Sequence, residues 1–293
     1  MNEEYLRGLM ERYTTDHLIG ITPEDFKAKI DEFLALDDHE MEGWESPDKQ
    51  RDKSVKFLWG HNHDFGTFKL EGAMEDRHIR VIAKFIEMGL PMDLTDKRVL
   101  DIGVWCGGTS LLLAAMGGRI RAIEEVQKYN DCAWFLACSF DIMWKNQSND
   151  PMINMLTYHG IDALSLYQLE YAVLPKGGFD YVSFPGVLYH LTDPIIALRI
   201  IYNSLKNGGK MFLETMTARD SAHDAKILQY HGPSEPGWNW FAPTPATLRQ
   251  MMLDVGFEDV RVQPTENQRA YAVGTRKSHK DILRAGLSRR DIR

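Results

Sequence analysis

Cysteine is scarce in this chain of 293 residues: Cys106, Cys132 and Cys138 are all there is. An odd number without paired metal-ligand spacing excludes a disulfide-stapled scaffold and a cysteine-based zinc site, and fits free thiols in a reducing compartment. Positive charge is also short. The 34 lysines and arginines face 42 aspartates and glutamates, a formal net charge of −8. Whole-chain attraction to a polyanion is therefore not built in, which demotes nucleic acid as a partner while leaving a local basic patch open. No uninterrupted apolar run reaches bilayer length, and the opening MNEEYLRGLMERY is too charged for a secretory signal. The expectation is a soluble, cytoplasmic protein without membrane attachment. Internal repeats and low-complexity tracts are missing as well.

What is present is 44% hydrophobic residues, enough for one large core with an appended lobe. The first part reads as helical: NEEYLRGLMERY, TPEDFKAKIDEFLAL with Thr22 and Pro23 as cap and first turn, and AMEDRHIRVIAKFIEMGL ending at Gly89. Between the last two, WESPDKQRDKSVKFLWGHNHDFGTFKLEG is polar, aromatic and glycine-punctuated, hence loop-like. From Lys97 onward short apolar strands take over: RVLDIG, RIRAIE, INMLTYHG, FDYVSFPG, KMFLETM, EDVRVQP and RAYAVGTR. They alternate with helical stretches such as TSLLLAAMGG and PIIALRIIYNSLKNGG. This grammar predicts an α/β fold, a doubly wound Rossmann-like seven-stranded sheet with an N-terminal helical extension, parallel at first and closed by a hairpin-like pair. The boundaries read as an extension and lid over residues 1–90 and a ligand-binding catalytic domain over residues 91–293. Ligands in such sheets bind beyond the carboxyl ends of the strands, which selects the tips after Gly103, Glu124, Gly160 and Phe184.

The stretch VLDIGVWCGGTS, Val99 to Ser110, begins like a nucleotide-binding turn. Gly103 lets the backbone pass close to a ligand, and Gly107 and Gly108 open a helix whose first N–H groups point at the site. Glu124 follows Asp101 by roughly the 20 residues at which a carboxylate grips ribose hydroxyls. A dinucleotide needs close backbone approach at the second glycine of G-x-G-x-x-G, where Trp105 stands instead. The ligand then needs ribose without a diphosphate, and S-adenosylmethionine meets that description. Trp105 can equally be a core side chain at a helix start without changing the ligand. Asp162 lies just past the third strand tip, where it can accept from an adenine amino group with the Ile161 backbone serving the ring nitrogen beside it. The plainer role for Asp162 is a helix N-cap.

With VLDIG, FDYVSFPGVLYHLTDPIIAL, LKNGGKMFLET and FAPTPATLRQMMLDVGFEDVRV in view, the chain resembles class I S-adenosylmethionine-dependent methyltransferases over about residues 55–275. Within them it is similar to the branch of tRNA wobble-uridine carboxymethyltransferases and related small-molecule methyltransferases. The resemblance implies S-adenosyl-L-methionine as cofactor and S-adenosyl-L-homocysteine as its product. It also matches Tyr189 to the tyrosine of the GVLYH motif and Arg269 to an arginine near the final strand, groups that hold an extra carboxylate in carboxymethyl-transferring members. HDFGTF carries no lysine where one is expected for that carboxylate, which favours the ordinary methyl donor.

Methyl transfer from a sulfonium is an in-line displacement, so alignment in a dry pocket supplies most of the effect, and a base is needed only for a nucleophile that must lose a proton. FPGVLYHL follows the fourth strand where this fold faces its acceptor. Tyr189 and His190 are thus the acceptor-side candidates, His190 with the titration range of a base near neutrality; a packing or capping histidine is the alternative. In WGHNHDFG, residues His61, His63 and Asp64 are candidates for contacts to the cofactor tail or substrate, Asp64 also for catalysis, against the plainer reading of a solvated turn. Two histidines and a carboxylate so close in sequence seldom all reach one ion, so no metal is assigned. Trp238 and Trp240 in GPSEPGWNWFAPTP suit a cationic or sulfonium-bearing group, and equally cover a core. The leading reading is methyl transfer to an oxygen, nitrogen or sulfur nucleophile of a small molecule. The alternatives are a tRNA-modifying methyl or carboxymethyl transferase and a non-catalytic S-adenosylmethionine-binding regulator. The amino-terminal helices are a candidate homodimer surface.

Overall fold

The computed structural model describes residues 2–38, 54–142, 177–219, 221–232 and 239–277. The chain divides into two compact units, Met1–Ser165 and Leu166–Arg293.

The first unit opens with helices α1 (Asn2–Met10) and α2 (Pro23–Leu34). As the sequence predicts, Thr22 caps α2, its hydroxyl accepting from the Asp25 amide at 3.1 Å, with Pro23 at the first helical position. The apolar stripe Phe26, Ile30 and Phe33 is buried. Phe26 stacks on Phe135 at 5.3 Å and meets Phe65 and Phe140 edge-on. The loop-like stretch before the third helix contains a hairpin of two-residue strands, β1 (His63–Asp64) and β2 (Lys69–Leu70). Strands this short leave no visible alternation, which is why they read as loop. Gly66 turns the hairpin at φ 84°, its amide donating to Asp64 Oδ1. Helix α3 (Arg77–Glu87) precedes Gly89, left-handed at φ 105°. Then come β3 (Arg98–Ile102), α4 (Gly108–Ala115), β4 (Arg119–Ile123), parallel to β3, and α5 (Gln127–Ser139).

Long-range polar contacts tie the amino-terminal helices to this β–α–β core. The Tyr13 hydroxyl donates to the Leu111 carbonyl at 2.8 Å. Lys128 Nζ donates to the carbonyls of Asp37 and Val55, each at 2.7 Å, so its ammonium is buried with partners.

The second unit is a mixed sheet flanked by helices. Strand β5 (Phe179–Pro185) runs parallel to β6 (Leu205–Met216) through helix α6 (Pro194–Ser204). A ribbon of β7 (Leu228–Tyr230) and β8 (Phe241–Pro243) leads to helix α7 (Pro245–Val255). The chain then forms the antiparallel pair β9 (Glu258–Pro264) and β10 (Arg269–Thr275), and β10 also pairs antiparallel with β6. This is the predicted α/β class. Helix α6, read from sequence as continuing through Lys206-Asn207-Gly208-Gly209, stops at Ser204 instead. Buried Arg276 explains the stop, donating to the carbonyls of Tyr202, Asn203 and Leu205 at 3.0, 2.8 and 2.6 Å and so satisfying the helix end. The predicted strand INMLTYHG lies outside the described residues.

Phe26→Ala removes the ring at the centre of the amino-terminal aromatic cluster, and Phe26 is fully buried. Urea denaturation is expected to show a loss of about 3–5 kcal/mol. A loss under 1 kcal/mol would mean the cluster does not hold the helices to the core.

Candidate functional site

The turn after β3 is built on three left-handed residues, Gly103 (φ 75°), Trp105 (φ 52°) and Gly107 (φ 87°). Trp105 thus adopts the backbone that a glycine would take freely and a bulky residue takes at a cost. Two bonds hold it there. Its amide donates to Glu124 Oε2 at 2.7 Å, and its indole Nε1 donates to the Leu58 carbonyl at 2.8 Å. A Cβ on Gly107 would sit 3.1 Å from that of Ala133, so the turn lies directly on α5. Asp101, fully buried, accepts from Ser110 Oγ at 2.6 Å and fixes the first turn of α4 against β3.

Glu124 is 6% exposed and its other oxygen accepts from the Val126 amide at 3.1 Å. Burial, reinforced by the charge of Glu125, raises its pKa to about 7 against the pull of these amide donors.

The segment before the hairpin packs on this turn. A Cβ on Gly60 would meet the Trp105 ring at 2.9 Å, and one on Gly108 would meet His61 Nδ1 at 2.7 Å. His61 and His63 are both buried, whereas Asp64 is exposed and ion-paired with Lys69 at 2.6 Å. His63 is a packed histidine: its ring stacks on Phe65 at 3.9 Å and its Nε2 contacts the Tyr13 carbonyl at 3.1 Å. Burial lowers its pKa to about 4, although that carbonyl and Asp64 favour the charged form. Of the sequence candidates, the structure therefore brings Asp101, Gly103, Trp105, Gly107, Glu124 and His61 together. Among the described residues no cluster of three or more histidine, cysteine, aspartate or glutamate side chains could hold a metal ion.

In the second unit, Tyr189 and His190 lie in a short 3-10 turn, Leu188–His190, with ring centroids 4.1 Å apart. Arg269, at the start of β10, clamps Glu214 of β6 through Nε and, at 2.9 Å, Nη2. Its guanidinium lies 5.0 Å from the Tyr189 ring centroid, and Nη2 is 3.5 Å from the phenol oxygen. Burial opposes the Arg269 charge, but Glu214 outweighs it and the pKa is raised. The Trp240 amide donates to the Tyr189 carbonyl at 2.7 Å, joining the ribbon to this cluster. Phe184 is fully buried within β5. Ile161, Asp162 and Trp238 lie outside the described residues. Sequence reasoning missed two residues, Glu214 and His78. A carboxylate inside the apolar run KMFLETM is a readable signal, whereas His78 in a helix offered none.

Comparison with known proteins agrees with this architecture. A family model for the methyltransferase domain matches residues 74–262, more than half of the chain. The chain belongs to that family. Among curated proteins it is 28% identical over 198 residues to the tRNA U34 carboxymethyltransferase of Ectopseudomonas mendocina, covering 67% of this chain and 56% of the relative. It is 30% identical over 226 residues to the enzyme of the same name from Tolumonas auensis, covering 74% and 64%. The chain thus spans less than two thirds of the length of these relatives. The crystal structure of the N-terminal domain of EvdMO1 with SAH and D-fucose shares the fold, with a TM-score of 0.55 at 16% identity, covering 89% of this chain and 99% of that one. No helix among the described residues is long and apolar enough to cross a membrane.

The raised pKa of Glu124 sets a pH dependence. The folded carboxyl binds its proton more tightly than the unfolded one, so the stability it contributes is complete below about pH 4.5 and is lost as pH rises through about 7. Urea denaturation from pH 4.5 to 8 is expected to show wild type losing up to roughly 3 kcal/mol more than Glu124→Gln. Parallel pH profiles for the two proteins would contradict a protonated Glu124.

Proposed function

We propose that this chain catalyses methyl transfer from S-adenosylmethionine to a small-molecule acceptor, releasing S-adenosylhomocysteine. The observation that carries the reading is the turn itself: three left-handed residues, an indole at the middle position, and a buried carboxylate hydrogen-bonded to that same residue. When bound, the donor supplies a methyl group on a positively charged sulfur. Glu124 holds the two ribose hydroxyls, Gly103 permits close backbone approach, and Asp101 keeps the start of α4 in place. The sequence pattern assigns Ile161 and Asp162 to the adenine edge. The GVLYH motif assigns Tyr189 and His190 to the acceptor side, with the Arg269 guanidinium lying against the Tyr189 ring, and alignment rather than covalent catalysis would supply the rate.

A plain methyl is favoured over a carboxymethyl group because His63 to Phe68 includes no lysine, and Lys69 of the same hairpin pairs with exposed Asp64. A small acceptor is favoured because surface cations are shared with carboxylates, as in Lys27–Asp31, Lys29–Glu32, Lys206–Asp180 and Lys277–Asp259, on a chain of net charge −8. The similarity to tRNA U34 carboxymethyltransferases supports a second reading, wobble-uridine modification.

Incubation with radiolabelled S-adenosylmethionine and separate pools of tRNA and small metabolites is expected to label the small molecules. Salt-sensitive label in tRNA would transfer the assignment to the second reading. Binding of S-adenosylhomocysteine by calorimetry gives an independent check. Ribose hydroxyls donating to Glu124 favour its ionised form, so affinity should rise between pH 6 and 8 with proton release at the lower end, and be lost in Glu124→Ala. Undiminished affinity in that variant would remove the ribose assignment.

A further inference from the structure

His61 is 7% exposed, and neither of its ring nitrogens has a hydrogen-bond partner. Nδ1 of His78, on α3, is likewise buried without one, and the two rings lie 4.6 Å apart. Unsatisfied polar atoms at this depth are rare and call for an explanation. Both imidazoles line a cavity of about 10 Å³ whose walls include Cys106 and Gly108, enough for one oxygen-sized group. Gly108 is the first residue of α4, so free helix amides and the positive end of its dipole lie against His61. Burial first, and then the charges of Arg77 and Arg80, push the His61 pKa down to about 3, and His78 is also held well below its ordinary value. Each neutral ring keeps one N–H to donate. Helix amides, the N–H of the His61 ring, the adjoining His78 ring and two nearby guanidinium charges form a donor-rich, positive environment.

We propose that His61, seconded by His78, binds a carboxylate oxygen of the donor's amino-acid tail at the amino end of α4. This rests on the S-adenosylmethionine reading above and names the residues that recognise the end of the donor remote from its ribose. His63, two residues on, is excluded from the role because its ring is stacked and bonded within the protein.

The test compares S-adenosylmethionine with decarboxylated S-adenosylmethionine, which keeps the nucleoside, the sulfonium and the amine, by calorimetry at pH 7.5. Wild type is expected to bind the intact donor about tenfold more tightly or better, the scale of hydrogen bonds to a charged group. His61→Phe should abolish that preference while changing affinity for the decarboxylated donor by less than about threefold. A preference that survives in His61→Phe would overturn the proposal, leaving the cavity as a water site, and so would its absence in wild type. Should His61→Phe fail to fold, His61→Gln is expected to show a reduced but measurable preference, and a full one would count against the proposal. Binding of neither donor by wild type would overturn the cofactor reading itself, a distinct outcome.

Discussion

The first unit depends on holding one bulky residue in a backbone conformation that it does not favour. Trp105 at φ 52° persists because its surroundings over-determine it. Its amide is bound by the Glu124 carboxylate and its indole by the Leu58 carbonyl. The two bonds have different consequences. The first ties the end of β4 to the turn after β3. The second ties the segment before the hairpin to the same turn, across 47 residues of sequence. Glycine at this position would relieve the backbone and lose the second tie. The tryptophan is therefore a strut between chain segments, held by the loop that packs over it.

The two units handle buried carboxylates differently. Glu214, 1% exposed, is met by the guanidinium of Arg269, so its charge is compensated on the spot. Glu124 is met by backbone amides, which is why burial prevails and its pKa rises. A carboxyl poised near neutrality and already oriented by two amides is ready to gain from further donors. Under the proposed reading those donors are ribose hydroxyls, and ligand binding completes an environment that the free protein leaves short.

Much of this was legible in the chain itself. Thr22-Pro23 announces the start of α2, short apolar runs alternating with helical stretches announce the α/β order, and the Gly103–Gly107 spacing marks the turn. Contacts of long sequence separation were not legible. Nothing in Leu58 announces that its carbonyl will receive an indole proton, and nothing in His78 that its ring will meet His61. The end of α6 is hidden from the local sequence for the same reason, since Arg276, far along the chain, satisfies its carbonyls. Two-residue strands stayed hidden because alternation needs more residues than they possess.

His61 and His63 show why composition alone could not assign the lid. Both are buried histidines of the same short segment, yet the aromatic stack on Phe65 occupies one, and the approach of Gly108 leaves the other facing a helix start. That approach is possible only without a side chain at 108, just as the seat of the Trp105 ring requires none at 60 and the packing of the turn on α5 none at 107. These three glycines fix the turn from opposite sides, one face against the loop and the other against α5. Under the proposed reading, a turn so confined leaves selectivity to side chains: the Glu124 carboxylate on one side and the unpartnered His61 ring on the other.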